Sequence, residues 1–169
     1  MALSNFERMI QLAEDVFAYK SDPNQLDVDQ DVMERLYRIH PATVSEFDDG
    51  NGPVAWVLLI PTTIDLMNRF LDHKISEKAL FELTTENTVY DALYLCSALV
   101  LEEYRRKGIT KQLTLAAIEN IRKDHPIKAL FVWAFSREGD LASEKLARLT
   151  SIPLMKRGNY NEISNSKKV

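Results

Sequence analysis

One cysteine, Cys96, stands in 169 residues, which excludes an internal disulfide and a cysteine-based zinc cluster. A reducing, cytoplasmic setting is therefore the default expectation. The longest apolar runs, 92–101 and 129–135, reach about half the ~20 residues that cross a bilayer, so no membrane partner is expected. The N-terminal residues carry no basic stretch followed by an apolar one, and no secretory signal is expected. The three histidines, His40, His73 and His125, have no i, i+4 partner among themselves, which argues against a histidine metal site, and no metal is assigned. Asp27-Val28-Asp29-Gln30-Asp31 begins like a calcium loop, but Val32 and Arg38 stand where such a loop needs Gly and Glu. Gly50-Asn51-Gly52-Pro53-Val54-Ala55 fits a dinucleotide pattern by letter, yet it leads into a strand and not a helix. Neither a P-loop nor a Gly-x-Ser-x-Gly elbow occurs. Positive charge is not in excess: the formal net charge is −4, which argues against a nucleic-acid partner.

What is present is an ordinary globular mixture, 46% hydrophobic and 27% charged, without repeats or a linker that would split it. A single domain over 1–169 is expected. Phe6, Met9, Ile10, Ala13, Val16 and Phe17 predict an amphipathic helix over 4–19, broken by Pro23 and Asn24; a second runs from about Val28 to Ile39. Residues 43–47 and 54–60 flank a run of turn formers and predict a hairpin, with Pro61 ending its second strand. Helical spacing returns at 62–71 and 76–83. The continuous apolar run 92–101 predicts a strand covered on both faces. A helix over 109–123, a strand over 127–135, a helix over 141–149 and a short strand at 154–156 complete the order. The whole predicts an α/β fold, with 92–101 and 127–135 running parallel in a mixed sheet flanked by helices.

Between strand 92–101 and helix 109–123 lies Arg105-Arg106-Lys107-Gly108-Ile109-Thr110. Three cations gather in an otherwise acidic chain, at a helix start whose backbone N–H groups lack intrahelical partners. Gly108 lets a ligand approach the backbone, and Thr110 adds a hydroxyl. Such a turn suits an anion, a pyrophosphate best of all; taken alone, a solvated basic turn reads the same way.

Residues 100–110, Val-Leu-Glu-Glu-Tyr-Arg-Arg-Lys-Gly-Ile-Thr, resemble the acetyl-CoA signature of the GNAT superfamily of N-acyltransferases. Arg105, Gly108 and Thr110 fall on its Arg/Gln-x-x-Gly-x-Gly/Ala positions, with Thr110 departing from the usual small residue. The elements that follow also come in that family's order, and the resemblance spans about 42–158. It implies a GNAT fold, with the helices read over 4–39 on its N-terminal side and a helical insertion at about 62–90 where relatives have a hairpin. It implies acetyl-CoA as co-substrate, with the pantetheine arm along Ala98, Leu99 and Val100 and the pyrophosphate on Arg106 to Thr110. A small-molecule or peptide primary amine would attack the thioester directly. A catalytically inactive acyl-CoA-binding or protein-interaction module is the alternative.

The catalytic groups are the weakest part of the resemblance. Ala147 stands where many relatives carry a tyrosine acid. Tyr94, Cys96 and Ser136 are the candidate replacements, each with a plain structural reading beside it: core residues for the first two, a turn cap for the third. The insertion reads equally as a substrate lid or an oligomer contact, and a homodimer is a fair expectation.

Overall fold

The computed structural model describes residues 2–19, 25–133 and 136–158, with 17–19 given by backbone alone. The break expected at Pro23 and Asn24, and the end of the strand expected to reach Phe135, lie outside the described residues. The elements in chain order are α1 (Asn5–Tyr19), α2 (Gln30–Ile39), β1 (Val44–Asp48), β2 (Pro53–Thr62), α3 (Ile64–Leu71), α4 (Glu77–Leu83), β3 (Ala92–Val100), α5 (Ile109–Asp124), β4 (Ala129–Val132), α6 (Arg137–Thr150) and β5 (Leu154–Lys156), with short 3-10 turns at Pro41–Thr43 and Glu102–Tyr104.

The strands form one open mixed sheet in the order β1-β2-β3-β4-β5. β1/β2 and β2/β3 are antiparallel, while β3/β4 and β4/β5 are parallel. The parallel pairing of β3 and β4 follows from the helix between them, since a crossover is needed to return the chain in the same direction. Sequence signals set most boundaries. Asp29, Thr63 and Ser76 cap α2, α3 and α4, each accepting the backbone N–H three residues on. Asp31 adds charge to the first turn of α2, so this acidic stretch serves a helix start.

One expectation is corrected. β2 does not stop before Pro61 but runs through it to Thr62, with Pro61 opposite Leu93. β1 pairs only as far as Leu58. Beyond that residue β2 is an edge on the β1 side, and a proline there removes no ladder hydrogen bond.

Side-chain alternation assigns the two faces. Val54, Trp56 and Leu58 point to the face covered by α1 and α2: Phe6 meets Trp56 edge-on at 6.3 Å, and Met9 joins Val54 and Leu101 in a small apolar cluster. Farther along that face, Tyr94 (opposite Ile60) stacks on Phe131 at 5.0 Å and meets Phe70 of α3 at 5.1 Å. Val57 and Leu59, each 2% exposed, point to the opposite face, where α5 lies across β1, β2 and β3. The main core takes in both faces, including Leu93, Ile118, Ile121, Leu130 and Phe131, all with no exposed surface. The C-terminal end of α5 is tied across to α2. His40 Nδ1 accepts the Ala42 N–H, leaving Nε2 to donate to Asp124 Oδ2 at 2.7 Å. His125 Nδ1 accepts the Tyr90 N–H at 3.3 Å.

Candidate functional site

β3 changes character halfway along. Residues 92–95 are buried and pair with 129–132 of β4. From Cys96 onward the strand is only partly covered, Ala98 is exposed, and among the described residues no strand pairs with that edge. The register against β2 slips at the same point: Leu58 faces Ser97 and Leu59 faces Leu95, so Cys96 is the extra residue of a bulge. A bulge twists and bends the strand that carries it. The result is an apolar strand whose residues 97–100 have, among the described residues, no strand partner on the β4 side.

That edge leads into the basic turn. After the 3-10 turn at Glu102–Tyr104, Arg105 is extended, Arg106 has φ 63° and Gly108 has φ 76°, and α5 opens at Ile109. Two residues with positive φ thus flank Lys107, and turns with left-handed residues at a helix start are a kind of backbone that can receive an anion. No side chain caps α5, so its first-turn donors remain available. A Cβ on Gly108 would meet nothing within 4 Å, so glycine is required by its φ and not by crowding.

The charge around this turn is arranged in its favour. Arg105, Arg106 and Lys107 are exposed, and among the described residues none of them forms an ion pair. Of the acids beside this turn, Glu103 is taken by Arg8 of α1 through contacts of 2.5 and 2.8 Å. The Arg8 guanidinium holds the Glu103 carboxyl down at about 2. Tyr104 donates to Asp49, which lowers that carboxyl as well and raises the tyrosine. The same contacts fasten the start of α1 to the loop and to the β1–β2 turn, where Asn5 Nδ2 donates to Asp49 Oδ1 at 3.1 Å.

Two cavities meet on β3. One of 200 Å³ is lined by Ser97, Ala98, Leu99, Val100 and Arg105, with Leu12 and Val16 of α1 as its other wall. The second, of 470 Å³, lies between α1, α2 and the sheet; Phe6, Ile10, Tyr37, Trp56 and Leu58 are among its walls. Ser97 and Leu99 belong to both. The structure thus brings Ala98, Leu99, Val100 and Arg105 together in one channel. Arg106, Lys107, Gly108, Ile109 and Thr110 follow at its basic end.

Tyr94, Cys96 and Ser136 are not one constellation. Ser136 Oγ accepts the Gly139 N–H at 3.0 Å and caps α6. Tyr94 is 1% exposed, and its hydroxyl donates to Glu77 Oε2 at 2.6 Å. Burial, followed by the neighbouring Cys96 and Glu77, pushes the phenol well above its usual range. Cys96 Sγ lies 4.0 Å from that same Glu77 oxygen. Glu77 is the member that the sequence reading missed. It is 8% exposed, opens α4 inside the 62–90 segment expected as an insertion, and accepts the Leu26 N–H at 2.9 Å through its other oxygen. Its signal was the i, i+3, i+4 spacing with Leu80 and Phe81, which places an acid on the buried stripe of α4. This segment is therefore anchored to the central strand at the point where β3 leaves β4. Arg157 lies nearby, its guanidinium 4.2 Å above the Phe70 ring and 4.5 Å above the Trp133 ring.

Among the described residues no group of three His, Cys, Asp or Glu side chains gathers as a metal site would, and no helix is long and apolar enough to cross a membrane. No protein-family model, curated protein or solved structure matches the chain.

Proposed function

We propose that the chain is a GNAT-type N-acetyltransferase that moves an acetyl group from acetyl-CoA to a primary amine within a ternary complex. The observation that carries this reading is the continuity of the bulged β3, the 200 Å³ channel lined by its residues 97–100, and the basic turn into α5 that follows. A ligand with a diphosphate at one end and an extended amide-bearing arm at the other matches both halves: the arm pairs with backbone along 98–100, and the phosphates meet the N–H groups of 106–110. On this reading the thioester lies by Ser97, which lines both cavities. The amine nitrogen attacks the carbonyl carbon, the C–S bond breaks, and the departing sulfur takes the electron pair. The proton lost by the amine ends on the CoA thiol. Positioning and carbonyl polarisation by backbone N–H groups carry this chemistry, and no covalent enzyme intermediate is needed.

A second reading, acyl-CoA binding without transfer, is favoured by the burial of Tyr94 and by Ser136 serving as a helix cap. Both leave a proton donor to be found. Thiol release from acetyl-CoA, measured with and without a panel of primary amines, separates the two. Amine-dependent release is expected; cofactor binding with no release for any amine would leave only the binding reading.

A further inference from the structure

The 470 Å³ cavity has a chemistry of its own, and it is the side from which an acceptor would reach Ser97. Its size is in the range of small-molecule sites. The strand ladder gives its axis. Leu99 of β3, Trp56 of β2 and Glu46 of β1 stand directly opposite one another, as do Ser97, Leu58 and Val44. The cavity floor therefore runs across three strands, roughly 10 Å from the channel side to the β1 side. The floor is aromatic and aliphatic, and Phe6 of α1 and Tyr37 of α2 extend it on the helical side. At the far end is Glu46, the one charged side chain among the described lining residues. The Trp56 indole N–H donates to Glu46 Oε1 at 2.8 Å, which holds the carboxylate at that rim.

Resting on the acetyltransferase reading, we propose that the acceptor is an arylalkylamine: a primary amine on an aromatic body with a hydrogen-bond donor at its distal end. The amine lies at Ser97 beside the channel, the ring on Trp56 and Leu58, and the distal donor at Glu46. The lining selects against two other classes. A carboxylate next to the amine finds no cationic partner among the described lining residues, and of a polyamine's extra charges Glu46 can pair only one, leaving the rest to lose hydration against apolar walls. In the transfer step the acceptor nitrogen forms the new C–N bond as the C–S bond of acetyl-CoA breaks, and its proton leaves with the CoA thiol.

The test is a comparison of tyramine, phenethylamine, tyrosine and spermidine as acceptors, read as CoA thiol release. Tyramine is expected to exceed tyrosine and spermidine in kcat/KM by at least about tenfold, the scale on which an apolar pocket discriminates. Ala13→Phe, which fills the cavity from α1, is expected to raise the tyramine KM by a similar factor with acetyl-CoA affinity unchanged. Glu46→Gln keeps an acceptor for Trp56 and is expected to erase the advantage of tyramine over phenethylamine. Preference for spermidine or tyrosine, or indifference to Ala13→Phe, would overturn the assignment. Calorimetry with tyramine alone keeps the two claims apart. If acetyl-CoA fails to bind, the transferase reading falls, while tyramine binding that is lost in Ala13→Phe still supports the cavity and its absence refutes it.

Discussion

Removing the Glu77 carboxylate tests how α4 is held to the sheet. In Glu77→Ala two donors lose their acceptor, the Leu26 N–H and the Tyr94 hydroxyl, and both belong to buried residues. Hydrogen bonds to a charged group contribute about 1.5–3 kcal/mol each, and a stranded buried donor costs a comparable amount. The loss is set at about 3–5 kcal/mol, a large share of the 5–15 kcal/mol typical of a domain. For a chain of this length that is a drop in Tm of about 6–20 °C. Urea denaturation followed by far-UV circular dichroism measures it, with the midpoint moving and the slope unchanged. Tyr94→Phe removes one of the two donors, so the double variant Glu77→Ala/Tyr94→Phe is expected to be less destabilised than the sum of the singles by about 1 kcal/mol or more. Additive effects, or a loss below about 1 kcal/mol for Glu77→Ala, would refute the claim that this carboxylate anchors α4. Tyr94→Phe also reads out function: kcat unchanged in that variant would remove Tyr94 from the catalytic candidates.

Gly108→Ala places a Cβ in open space at φ 76°, so the cost is conformational, about 1–2 kcal/mol, and not steric. Acetyl-CoA affinity is expected to fall as the turn relaxes while the fold persists, measured by calorimetry beside a thermal melt; unchanged affinity would count against the loop assignment. Acid is expected to release α1. Glu103 has its carboxyl lowered from 4.5 to about 2 by Arg8, and Glu7 is lowered by Ser4. Groups lowered in the folded state contribute stability that is fully present above pH 4.5 and is lost as pH falls toward about 2. Trp56 lies against Phe6 of α1, so its fluorescence is expected to change in that window, and Arg8→Ala is expected to flatten the change.

Much of the fold was legible because its signals are local. Caps at Asp29, Thr63 and Ser76, the turn formers of 48–53 and the unbroken apolar strand 92–101 each act through neighbours in sequence. The extension of β2 through Pro61 was not legible, because it depends on where β1 stops pairing. Of the candidate site, the basic turn was visible as composition, while its left-handed Arg106 was not, because arginine carries no local signal for a positive φ. The catalytic candidates were less legible. Tyr94 and Cys96 share a strand in sequence, but the bulge at Cys96 arises from the pairing with β2, and Glu77 meets Tyr94 only once α4 packs against the sheet. The 470 Å³ cavity joins α1, α2 and three strands, and no local pattern encodes such a meeting.

The most direct test of the cofactor assignment is calorimetric titration of the protein with acetyl-CoA, repeated on Arg105→Ala/Arg106→Ala. Both arginines are exposed, so the variant is expected to fold as the parent does. Binding by the parent, weakened at least about tenfold in the variant through loss of phosphate contacts, is the predicted result. No heat of binding with either protein, or equal affinity in both, would contradict the account.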